Sequence, residues 1–374
     1  MKSYYAMNTN VNISTKGAHI MAEKQSRRTF LGAGAATAAT VLTASASEAV
    51  ESPSYRKLNI GVFGIDYTFW GIWADLLSPT GKHSGTSLLN MRPSHVWDKD
   101  RKKAEEFAEK WGCEVVDKYD GMVGKVDGVV NGDLYNVPWQ HKIMRPYLEA
   151  GMPVYLSRPW SSRLRDLDEM LDLAAKYSAP VIATATFEHY NEADNFKSKL
   201  GKIGEIESVL AVCGAGDRPH FHIPYMMMKM FGYNVDSVSL LTDNLMKASY
   251  LQSTYIYEAT EEQKSFAVTM QALRSFVYQF TVYGKEGTES GALQGGADYF
   301  YRFFPQLMDI QRTIDNKTNY QPLDIVRKKF DCVLAEYYSH FERNGAPVKV
   351  GSVPTDWQIP PVKSDWYSDN DFKS

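Results

Sequence analysis

From residue 58 to about residue 184, short apolar runs alternate with amphipathic stretches. Runs at 58–63, 95–97, 114–116, 128–131, 154–156 and 181–183 predict strands of the kind a parallel sheet buries on both faces. Between them, residues 100–111 place Ala104, Phe107, Ala108 and Trp111 on one side and charges on the other, with Asp100 as cap and Gly112 as stop. Residues 138–150, ended by Gly151, and 164–177, ended ahead of Pro180, predict further helices. Strand–helix units in this succession predict a doubly wound parallel sheet, an α/β fold. After residue 184 the pattern changes, with Tyr, Phe, Thr and Ser recurring at alternating positions. Residues 206–213, 253–258, 266–273 and 276–283 predict longer strands of an open, mostly antiparallel sheet with one covered face. Residues 323–344 predict a long amphipathic helix stopped at Asn344-Gly345, and 352–374, rich in Pro, Trp and Asp, an irregular tail.

The N-terminal segment changes where this fold is expected to work. Ser26-Arg27-Arg28-Thr29-Phe30-Leu31 precedes a small-residue run, 32–44, and an Ala44-Ser45-Ala46 triplet, the pattern of a twin-arginine export leader. The run is too short and too rich in Thr and Gly to span a bilayer, which takes roughly 20 apolar residues. The expectation is a periplasmic or secreted protein with no membrane anchor once the leader is removed, and with Met21 as a candidate start. The predicted organisation is a leader and linker over 1–50, a cofactor domain over 56–184, a substrate and oligomerisation domain over 185–350, and a tail over 351–374.

Of the 41 basic and 44 acidic residues, residues 1–46 hold five bases (Lys2, Lys16, Lys24, Arg27, Arg28) and one acid (Glu23), so the remainder carries a net charge of −7. That balance argues against a nucleic-acid partner. Cys113, Cys213 and Cys332 lack metal-like spacing and read as ordinary small hydrophobes.

The candidate chemistry begins where the first predicted strand ends. Leu58 to Phe69 runs from an apolar strand containing Gly61 into a glycine turn and a helix, the arrangement that offers backbone N–H groups to a pyrophosphate. Gly64 holds the first position of the G-x-G-x-x-G fingerprint, but Asp66 and Phe69 hold the second and third. Asp66 puts a carboxylate where phosphate oxygens approach, and Phe69 implies a wider helix–strand gap or a shifted helix.

Several further segments resemble the glucose–fructose oxidoreductase / inositol dehydrogenase / MocA family (Gfo/Idh/MocA). They are Ala150 to Pro159, similar to its segment ending in Glu-Lys-Pro; Gly201-Lys202-Ile203-Gly204-Glu205-Ile206; His222 ten residues before Gly232; and Tyr283-Gly284-Lys285-Glu286-Gly287-Thr288. The resemblance covers nearly the whole chain after residue 57. It implies an N-terminal Rossmann domain for NAD or NADP and a C-terminal α+β domain whose open sheet carries the substrate site and often subunit contacts. A homo-oligomer, a sugar-like substrate and oxidoreduction at a hydroxyl follow as expectations, with the cofactor bound tightly enough to survive export.

Departures from the family pattern bear on mechanism. Arg158 stands at the lysine position and Ser157 at the glutamate; a guanidinium stays protonated and cannot take a substrate proton. It can hold and polarise, or bind ribose. Tyr225 replaces the Asp one helical turn from His222, which remains the first candidate for the proton-transferring group. Gln140 stands where the family has a histidine, with His141 one residue away. Asp98 fits the acid that binds the adenosine ribose, given an insertion between residues 77 and 93. His189 and Tyr190 close the last parallel strand and are candidates for substrate contacts or for an interdomain hydrogen bond. No metal is expected, since His220 and His222 lack a third ligand, and the Met226–Met230 region reads as packing. Trp70 and Trp73 pack on an apolar helix face or stack a ring of sugar or adenine. The competing reading is a non-redox descendant of the family, a carbohydrate-binding or cofactor-free carbohydrate-modifying protein.

Overall fold

The computed structural model describes residues 57–65, 68–78, 81, 89–132, 137–214, 222–243, 250–273, 278–292, 303–360 and 372. Asp66, Tyr67, His220 and the whole of the leader lie outside the described residues, as do the side chains of Phe69 and His222. Among the described residues no helix is long and apolar enough to cross a membrane.

Six parallel strands build the first sheet: β1 (Leu58–Phe63), β2 (Met91–Val96), β3 (Glu114–Val115), β4 (Gly128–Asn131), β5 (Val154–Tyr155) and β6 (Val181–Ile182). Their spatial order is β3-β2-β1-β4-β5-β6, the doubly wound order with its switch point between β1 and β4. The predicted strand at 95–97 starts earlier, at Met91, because the pairing of Leu58 with Met91 extends β2 through Pro93. Helices α1 (Thr68–Leu77), α2 (Arg101–Trp111), α3 (Gln140–Glu149) and α4 (Leu164–Tyr177) connect these strands. The cap and stop of α2 are as the sequence predicts: the Asp100 carboxylate accepts from the amides of Lys102 and Lys103, and Gly112 closes the helix at φ +73°.

The second sheet has seven strands: β7 (Ile206–Gly214), β8 (Val235–Thr242), β9 (Leu251–Tyr257), β10 (Phe266–Leu273), β11 (Tyr278–Gly284), β12 (Gly287–Ala292) and β13 (Val348–Lys349). Among the described residues β7 and β10 are the one parallel pair; the remaining pairs are antiparallel. Two short helices, α5 (Asn191–Lys197) and α6 (His222–Phe231), and the long α8 (Leu323–Arg343) accompany it. Val209, Ala211, Phe280, Val282, Val268, Met270, Tyr255 and Leu240 form its buried face. Strand pairing puts Leu210, Tyr283 and Leu241 together on the opposite face, where they are 46, 40 and 53% exposed.

The helix α7 (Phe304–Asn316), which the hydrophobic pattern did not predict, crosses back to the first sheet. Leu307, Ile310 and Ile314 share a core with Val62, Trp70, Trp73, Tyr155 and Ile182. Asn319 accepts the Val181 amide at 2.8 Å and Gln321 donates to the Ala183 carbonyl at 2.7 Å, so the β6 edge is covered by the segment after α7. The predicted tail also docks in part, with Ile359 donating to Ser162 at 2.9 Å and Val353 buried.

The missing third fingerprint glycine has a structural counterpart. Trp70 on α1 donates its indole N–H to the Phe63 carbonyl at 2.7 Å and lies against Gly132 at the exit of β4. A Cβ at Gly132 would sit 2.6 Å from the Trp70 ring. The glycine that lets helix and sheet approach is therefore on the strand side here. Gly132→Ala is expected to destabilise the protein by about 1–3 kcal/mol through overpacking, measured by urea unfolding; a loss near zero would show that Trp70 has room to move. Trp70 and Trp73 meet edge to face at 5.6 Å, both buried, which assigns them to the core.

Beneath the second sheet, Glu336 of α8 is fully buried and accepts the Ser253 hydroxyl. Burial pushes its pKa up from 4.5 to about 7. Asp331, one turn earlier, is pushed up to about 6, also mainly by burial. An acid raised in the folded state holds a proton that the unfolded chain has released, so its stabilising contribution is full at low pH and disappears as pH rises through the folded value. For Glu336 the window runs from 4.5 to about 7. Raising the pH from 4.5 to 8 should therefore remove on the order of 2–3 kcal/mol through Glu336, and Glu336→Gln should flatten that part of the stability–pH curve. An unaltered curve in the variant would place the dependence elsewhere.

Candidate functional site

Ligands of doubly wound sheets bind beyond the carboxyl ends of the strands at the switch point. Gly64 leaves β1 in the left-handed region, φ +68°, a conformation that costs glycine nothing. Asp98 follows β2 on the same edge, is buried, and accepts the Asp100 amide at 2.8 Å. Both positions fit a dinucleotide, one at the pyrophosphate and one at the ribose. Gly61 does not belong with them. It lies inside β1, where a Cβ would meet the Met122 sulfur at 2.8 Å, so core packing accounts for its lack of a side chain.

The exit of β5 carries the segment Ser157-Arg158-Pro159-Trp160. The Arg158–Pro159 bond is cis, and the Trp160 amide donates to the Ser157 carbonyl at 2.7 Å, closing a tight turn with Arg158 at its second position. Trp160 has φ +77°, rare for a bulky residue and a conformation that only surrounding contacts sustain. Much of that support comes from Gln140, the first residue of α3, which is fully buried. Its Oε1 accepts from Asn131 Nδ2 at 2.7 Å and from the Ser157 amide at 2.8 Å, and its Nε2 donates to the carbonyls of Ser157 at 3.1 Å and Trp160 at 2.5 Å. His141 points elsewhere, 3.9 Å from Asp166 of α4. Of the two neighbours it is Gln140, not His141, that reaches the turn.

The Trp160 ring stacks on Tyr225 of α6, centroids 4.6 Å apart and planes 16° from parallel. Both rings are fully buried, and neither the Tyr225 hydroxyl nor the Trp160 indole N–H has a hydrogen-bond partner. Burial holds the Tyr225 phenol well above its ordinary pKa, so it stays protonated and is a donor, not a base. His222 opens α6 one turn before Tyr225.

A cation that the sequence reading missed lies under this pair. Lys329 of α8, with no exposed side-chain surface, has its ammonium 5.1 Å from the Trp160 ring centroid and 5.2 Å from that of Tyr225. It pairs with Glu188 and donates to Gln321 Oε1 at 3.3 Å. Desolvation lowers its pKa, and the Glu188 carboxylate opposes that shift. The other Glu188 oxygen accepts the Ala185 amide at 2.7 Å, fixing the turn after β6. Helical spacing offered no signal for Lys329, because it lies on a face whose burial depends on the other sheet.

His189 and Tyr190 sit where the chain leaves the first sheet. Both ring nitrogens of His189 are engaged, Nδ1 with Asp309 at 2.7 Å and Nε2 with Thr184 Oγ1 at 2.9 Å. Tyr190 is buried and packs on Phe187. This favours the interdomain hydrogen bond over substrate contacts: His189 ties α7 to the end of β6.

Sheet order, the left-handed glycine at the β1 exit and a carboxylate at the β2 exit define a protein of the Rossmann dinucleotide-binding class. Residues 58–185 match the Gfo/Idh/MocA family, described as an oxidoreductase family with an NAD-binding Rossmann fold. A dTDP-3,4-didehydro-2,6-dideoxy-α-D-glucose 3-reductase of Streptomyces violaceoruber is 25% identical over 162 residues, 42% of this chain; the chain spans 44% of that curated relative. Among solved structures, scyllo-inositol dehydrogenase from Lactobacillus casei with bound NAD(H) and scyllo-inositol superposes with a TM-score of 0.63 at 15% identity, covering 79% of this chain and all of that one. An oxidoreductase from Agrobacterium radiobacter in complex with NAD+, L-tartaric acid and magnesium gives 0.63 at 13% identity, covering 79% of this chain and 99% of that one. At such identities the likeness concerns the fold.

Proposed function

We propose that this chain is an NAD(P)-dependent oxidoreductase acting on a hydroxyl, or the corresponding carbonyl, of a sugar, polyol or related carbohydrate. The observation that carries the reading is the convergence of Gly64, Asp98 and the Arg158 turn on one edge of the parallel sheet, around its switch point. Gly64 and the start of α1 would hold the pyrophosphate and Asp98 the adenosine ribose. The nicotinamide, when bound, accepts or supplies the hydride. Arg158 orients the reacting oxygen or the nicotinamide ribose through a fixed positive charge. Tyr225, protonated and lacking a partner, donates to the same oxygen, and His222 exchanges the proton that Arg158 cannot take.

The reading assigns 56–184 to cofactor binding, 185–350 to substrate and subunit contacts, 351–374 to a tail, and 1–50 to a twin-arginine leader that delivers the folded protein to the periplasm with its cofactor in place. The exposed side of the second sheet, with Leu210, Leu241 and Tyr283, supports a homo-oligomer through that face.

The test is to denature purified protein and quantify released nicotinamide dinucleotide by mass and absorbance. Near-stoichiometric release, or a thermal shift on adding millimolar NAD(H) or NADP(H), is expected. Neither signal would leave the non-redox carbohydrate-binding reading in its place.

A further inference from the structure

We propose that Gln140 is a positioning residue: it holds the Ser157–Trp160 turn, and through it sets where the Arg158 guanidinium stands. The inference rests on the oxidoreductase reading for the consequence, but not for the brace. Gln140 uses its full side-chain hydrogen-bonding capacity, two donations and two acceptances, in one buried place. Three of the four bonds go to the backbone of the turn that carries Arg158 at its second position, and the fourth goes to Asn131, the last residue of β4. One side chain thereby locks the exits of the neighbouring strands β4 and β5 together, beside the switch point.

The turn needs such a lock. Its own closing bond runs from the Trp160 amide to Ser157, while Trp160 holds φ +77°, which favours other conformations for a residue with a large side chain. Gln140 grips both ends of that closing bond, at the Ser157 amide and carbonyl and at the Trp160 carbonyl. An arginine is long and has many rotamers, and its head reaches a fixed point only if its backbone is fixed. A shift of about 1 Å in an orienting group costs on the order of 10²-fold in rate.

Gln140→Glu keeps the length and the accepting oxygen and removes both donations. Hydrogen exchange read by mass spectrometry over residues 156–162 should become about tenfold faster in the variant, while the amides of α4 keep their wild-type protection. In steady-state kinetics kcat should fall on the order of 10²-fold with NAD(H) affinity nearly unchanged. In an Arg158→Ala background the same change should cost nothing further, since Gln140 acts through Arg158. Gln140→Met, of similar volume and uncharged, replaces the glutamate variant if the buried carboxylate prevents folding. If neither folds, the wild type decides: its Trp160 amide must exchange as slowly as the protein's core strands, and a fast one overturns the proposal. Unchanged exchange in a folded variant, or a kinetic cost that persists in the Arg158→Ala background, also overturns it. An inactive wild type that binds no nicotinamide, with a turn that loosens in the variant, overturns the oxidoreductase reading and leaves the brace standing.

Discussion

Lys329→Met is expected to lower the unfolding free energy by about 3–5 kcal/mol, a large part of the total for a domain. The loss comes mostly from what is left behind. Glu188 is 3% exposed at its side chain, and without the ammonium it becomes a buried carboxylate whose remaining bond among the described residues is to the Ala185 amide. The contacts over Trp160 and Tyr225 are lost as well. Removing both charges together, in Lys329→Met with Glu188→Gln, should therefore cost clearly less than the sum of the single changes, with a coupling of about 2 kcal/mol or more. Urea unfolding of the wild type and three variants measures this. Additive effects would mean that the two groups do not depend on each other in the folded state.

The second large effect concerns turnover. Arg158→Ala should lower kcat on the order of 10²- to 10³-fold, the usual cost of removing a fixed charge that stabilises a developing one; unchanged NAD(H) affinity would place the guanidinium on the reacting oxygen, and weakened affinity on the nicotinamide ribose. Arg158→Lys is the informative companion. It retains a cation on a flexible stem and adds a group able to exchange a proton, but it loses the planar fork. If the guanidinium only orients, the lysine variant recovers part of the rate and its pH profile acquires a new limb on the basic side. Equal rates in wild type and Arg158→Ala would remove Arg158 from the mechanism.

Much of the architecture was legible along the chain because it is local. The strand at 58–63 and its glycine turn, the cap and stop of α2, and the α4 and α8 helices follow from apolar periodicity and from Asp100, Gly112 and Asn344-Gly345. α7 was not legible. Its apolar positions make sense only against a sheet far earlier in the chain, where Ile314 covers Gly128. The same holds for the tail, whose Ile359 is ordered by Ser162. Within the site, the substitution of Arg158 and Tyr225 for the usual lysine and aspartate could be read directly. Their surroundings could not.

Residue type and spacing were enough for most elements of the first sheet, for its doubly wound class and for the identity of the side chain at the end of β5. Those depend on residue type and spacing over one or two turns or strands. The tertiary structure alone decided that Gln140 braces the Arg158 turn, that Lys329 and Glu188 share a buried site beneath Trp160 and Tyr225, and that both nitrogens of His189 are engaged in the fold. Each of these includes a contact between residues at least 17 positions apart in the chain. Its chemistry follows from burial and a partner, and neither exists until the two sheets and helices α3, α6, α7 and α8 come together.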